Sequence, residues 1–165
     1  MPWLRRGATG RDAAASAELA SPGVEPPRLQ PINEAERQWI SDNLAQLRSH
    51  GVDVADGGQL SACFDTMLNS WECRSETERA DPNELINVIG IGLGEHLVCR
   101  AGLQWVVATD EAGTELAVRG QSGSVIIYPT NVVAKRWVAG ERAFLGRFAD
   151  DVVQRIAEIR ATADS

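Results

Sequence analysis

A chain of 165 residues, 44% hydrophobic and 24% charged, is long enough to bury one core and too short for two ordinary domains. Its formal net charge of −7 argues against nucleic-acid binding, which needs a basic face to neutralise phosphates. No apolar run approaches the roughly 20 residues that span a bilayer, and no apolar stretch follows Arg5 and Arg6 to make a signal peptide.

The three cysteines, Cys63, Cys73 and Cys99, form no CxxC pair, so reduced structural thiols in a cytoplasm are expected, with no cofactor and no metal. Only Lys135 is lysine among 16 basic residues, an arginine bias of the kind that GC-rich bacterial genomes produce.

Residues 1–31 are rich in Ala, Pro, Gly and Ser and lack apolar periodicity, which predicts a flexible, dispensable tail ahead of a single domain over 32–165. Asn33 followed by Glu36 is a capping-box variant. It opens a helix whose Trp39, Ile40, Asn43, Leu44 and Leu47 share a face and which stops at Gly51. Leu60, Cys63, Phe64, Met67, Leu68 and Trp71 form a second stripe at three-four spacing, read as core packing.

The central helix is predicted over roughly Pro82 to Arg100, with Asp81 as N-cap, Pro82 at its first position and Gly102 as the left-handed stop. It is apolar nearly all round, so it should be buried. Gly90 and Gly94, four apart, should mark a close approach of another backbone. These glycines do not make a phosphate loop, because Glu95 stands where a third glycine would be needed and no Lys-Ser/Thr pair follows. His96 and Cys99 share one helical turn, but a packed helix end accounts for them better than a zinc site does.

Beyond Gly102, two strands flank the turn Asp110-Glu111-Ala112-Gly113, with Leu103, Trp105 and Val107 on one face and Gln104, Val106 and Ala108 on the other. GSVIIYP supplies a third strand, and its leading GQSGS reads as a loop, not a nucleophile elbow. A short turn or helix carries Lys135, Arg136 and Trp137. A terminal helix with Leu145, Phe148, Val152, Ile156 and Ile159 on one side is expected to pack across the sheet. The fold class is α+β: a small antiparallel sheet of three strands, or four, with about four helices.

Over about residues 81–141 the order of motifs resembles an uncharacterised bacterial family, a domain of unknown function. Its pattern falls here on Gly90, Gly94 and Glu95, then Gly102 and Trp105, Asp110 and Gly113, and Pro129, Lys135 and Arg136. That resemblance implies a small α+β domain and no known activity.

Two functions compete. The leading one is a non-enzymatic binding or interaction module that associates with itself or with another protein, its acidity suited to a basic partner. The alternative is a small enzyme or sensor that takes an anionic metabolite through Lys135 and Arg136, which form a positive island on an acidic chain. The candidate binding residues are Trp105, Asp110, Glu115, Lys135 and Arg136, one of the two cations being expected to pair internally with Asp110, Glu115 or Glu141. No catalytic residue is assigned, because turn chemistry accounts for Asp110.

Overall fold

A computed structural model of the protein describes residues 25–121 and 125–165. Among the described residues nine elements follow one another: β1 (Arg28–Pro31), α1 (Glu34–Ser49), α2 (Gly57–Glu72), α3 (Asn83–Ala101), β2 (Gln104–Asp110), β3 (Gly113–Arg119), β4 (Ile126–Ile127), α4 (Pro129–Ala139) and α5 (Leu145–Ala163). The sheet is antiparallel throughout, in the order β1-β2-β3-β4. Five helices and four strands make the α+β class, and no helix among the described residues is long and apolar enough to cross a membrane.

Local chemistry sets most element ends. At α1 the Asn33 side chain accepts from the Glu36 N–H while the Glu36 carboxylate accepts from the Asn33 N–H, a reciprocal box that explains why Glu36 is buried. Gly102 and Gly140 end α3 and α4 with φ of 63° and 64°, a conformation that a Cβ would strain. At the hairpin, the Asp110 carboxylate accepts from the Ala112 N–H at 2.7 Å and Gly113 takes a φ of 122°. The central helix begins one residue later than expected. Pro82 occupies the cap position, and Asp81 accepts from the Asn83 N–H at 3.0 Å from one step further out.

α3 is the axis of the molecule. Ile86 to Gly94 are buried without interruption, since α1, α2, α4, α5 and the inner face of the sheet all pack on it. Its glycines are the contact points. A Cβ at Gly90 would stand 2.7 Å from the Thr130 Cα of α4, and one at Gly92 would stand 2.6 Å from Leu47 and 2.9 Å from Leu60. At Gly94 it would collide with the Trp105 ring. The inner sheet residues Leu103, Trp105, Val118 and Ile127 join this core, while Val106, Ala108 and Ala117 make a small second cluster on the outer face with Leu29, Ile126 and Tyr128.

Two expectations change. Residues 28–31, placed in the tail, form the edge strand of the sheet, with Leu29 opposite Ala108. The remainder of that tail, residues 1–24, and loop residues 122–124 lie outside the described residues. Helix α5 packs on α3 and α2 instead of across the sheet. Phe144, at its cap, stacks edge-on against Phe64 of α2 at 5.1 Å, and Arg160 donates to the Ala101 carbonyl at 2.6 Å. The α4–α5 turn is clasped to α2. Arg142 donates to Asn69 and pairs with Glu72, while the N–H of Ala143, held at a φ of 54°, donates to Asp65 at 3.1 Å.

Candidate functional site

The stripe on α2 divides into two rows. Leu60, Phe64 and Leu68 are fully buried against the core, whereas Cys63, Met67 and Trp71, about 60° round the helix, are only half-buried. This second row floors a groove of about 750 Å³, closed by the end of α1 at Gln46, His50 and Val52 and by the start of α3 at Glu84 and Leu85. A concavity of this size, apolar at its base with a few polar groups at the rim, has the character of a ligand or peptide site.

Trp71 shapes one end. Its Nε1 donates to the Ala80 carbonyl at 2.8 Å, the Arg79 guanidinium lies 4.7 Å over its ring, and Trp137 packs against it edge-on at 5.6 Å. The link between α2 and α3 is thereby folded over the tryptophan. Asp81 is engaged in capping α3, and Arg74, His50 and Glu84 stand exposed on the rim.

The nucleophile in the groove is Cys63, and burial pushes its thiol up from the ordinary value. A raised thiol stays protonated at neutral pH and attacks slowly.

The five residues singled out from the sequence lie in four places. Trp105 is buried under α3, and its Nε1 donates to Glu95 Oε2 at 2.9 Å. Asp110 sits in the hairpin turn. Glu115 points to α4, where it accepts from Asn131 Nδ2 at 2.7 Å, and Lys135 follows Asn131 by one helical turn, exposed. Arg136 turns away from that face. Its Nη1 lies 3.3 Å from Glu141 Oε2 and its guanidinium lies 5.7 Å from the Phe144 ring centre, so it is the cation of the pair that bonds internally.

His96 is 1% exposed, and its Nδ1 donates to the Val54 carbonyl at 2.7 Å. Cys99 is pushed up by burial and by the carboxylates of Glu95 and Asp53. Among the described residues no three His, Cys, Asp or Glu side chains stand where they could hold a metal ion.

Fold and groove together define a small α+β domain built round one buried helix, with an open groove between its first three helices. The family model of a domain of unknown function, DUF3806, matches residues 66–145, from the middle of α2 to the first residue of α5. Comparison with curated proteins and with solved structures gave no match. The matched part includes Met67 and Trp71 of the groove but not α1, whose end closes it.

Proposed function

We propose that the protein is a non-enzymatic, cytoplasmic binding module that receives an apolar segment of a partner protein in the groove between α1, α2 and α3. The half-buried row of Cys63, Met67 and Trp71 carries this reading, because apolar side chains left uncovered beside a concavity gain from a partner's apolar surface. Glu84 on the rim and the net charge of −7 favour a segment flanked by basic residues.

Exposed groove positions allow a test that spares the core. Thr66→Arg places a long cation over the floor from a solvent-facing site. Proteins cross-linked to the wild type in cells should be lost from this variant and retained by Lys135→Ala. A partner retained equally by Thr66→Arg places recognition elsewhere.

A further inference from the structure

A second cavity, of about 170 Å³, lies where β1 runs beside β2 and into the start of α1. Its polar lining is Gln30, Arg37, Gln104 and Arg119, and no aspartate or glutamate borders it. In a chain with 23 acidic residues, two arginines facing a cavity without a carboxylate are an unusual juxtaposition.

Arg119 is the sharper observation. It ends β3, opposite Gln104 in the ladder, and is half-buried; its Nε is enclosed and meets no acceptor among the described residues. A guanidinium cannot escape this position by losing its proton, and an enclosed donor without an acceptor is costly, so the site favours an acceptor supplied from outside. Arg37, also on the lining, is exposed; its Nε forms an ion pair with Glu34 at 3.3 Å and its Nη1 donates to the Ile32 carbonyl at 3.0 Å. Ile32, Trp105 and Val106 complete the wall and lower the local dielectric, so charge-assisted bonds formed there are strengthened.

We propose that this cavity is a binding site for a small oxyanion, a phosphoryl or carboxylate group. The planar fork of Arg119 takes two of its oxygens, Arg37 supplies the second charge, and the carboxamides of Gln104 and Gln30 act as neutral donors. The site is independent of the groove between α1, α2 and α3: it stands at the opposite end of α1, a helix of 16 residues that spans about 24 Å.

Methyl phosphate, inorganic phosphate and acetate, titrated separately into the full chain in low-chloride buffer and followed by calorimetry, test the assignment. Saturable binding is expected. Arg119→Met should weaken it about tenfold or more, as for loss of one charge-assisted hydrogen bond, Arg37→Gln should weaken it less, and Lys135→Ala should leave it unchanged. Preference for methyl phosphate assigns a phosphoryl group, and preference for acetate a carboxylate; either supports the site. No saturation with any of the three, or unchanged binding by Arg119→Met, overturns it. Should circular dichroism show Arg119→Met unfolded, Arg119→Lys and Gln104→Leu take its place, and wild-type affinity in both also overturns the proposal.

Discussion

The indole N–H of Trp105 donates to the Glu95 carboxylate at 2.9 Å, tying β2 to α3 one residue from Gly94. The bond and the glycine belong together, because the six-membered edge of the same indole occupies the space where a side chain at Gly94 would begin.

Gly94→Ala should therefore destabilise the protein by about 1 to 3 kcal/mol through overpacking, and Gly94→Leu should prevent folding. Gly146 in α5 is the control. Nothing lies within 4 Å of a Cβ built there, so Gly146→Ala should be neutral or stabilising, by up to about 1 kcal/mol. Thermal unfolding followed by circular dichroism separates the two outcomes.

Deleting residues 1–31 should lower stability, contrary to the dispensable tail that composition suggests. The deletion removes the whole of β1, strips the ladder partners of Val106 to Thr109, and uncovers the outer cluster from the side of Leu29. Loss of several net hydrogen bonds and one half-buried leucine amounts to about 2 kcal/mol or more. The bared edge of β2 should also promote association, which light scattering would detect. An unchanged melting temperature without aggregation would show that β1 contributes nothing.

Asp56 caps α2, accepting from the backbone N–H groups of Gln59 and Gly58. The Gln59 N–H, foremost, holds its carboxyl below the usual aspartate range. A folded value below the unfolded one means that this stability is fully present above the ordinary carboxylate pKa and disappears as pH falls through the folded one. Asp56→Ala should lower stability at pH 7 and leave acid stability closer to that of the wild type. Parallel stability curves for the two proteins between pH 7 and pH 3 would contradict this.

Thiol reactivity should rank by exposure. Cys73 is exposed, whereas Cys63 is half-buried with its thiol pushed up, so it presents less thiolate at neutral pH. Iodoacetamide labelling read by peptide mass should modify Cys73 first and Cys63 slowly, with the rate at Cys63 rising as pH increases. A ligand seated in the groove should slow Cys63 further.

Signals confined to a few residues were legible in the chain. The box between Asn33 and Glu36, the Asp110 turn and the stop at Gly102 depend on side chains that bond backbone within about three positions, and they act as their types predict. The burial of α3 was equally readable, since a helix apolar on every side has no face to offer water. Gly90 and Gly94 announced close approach, although not that Thr130 and Trp105 would make it.

Composition, spacing and cap chemistry by themselves determined the α+β class, the order of the elements from α1 onward and the buried central helix. Only the tertiary structure decided that one α2 row is core and the next is groove, that residues 28–31 close the sheet, and that α5 lies on helices. It also decided that Arg136 is answered by Glu141 while the Nε of Arg119 meets no acceptor among the described residues. The reason is range. Helix caps and turns are stabilised by neighbours in sequence, whereas the fate of a charge or an apolar stripe depends on what packs opposite it, as when Asp65 meets the backbone of Ala143, 78 residues away.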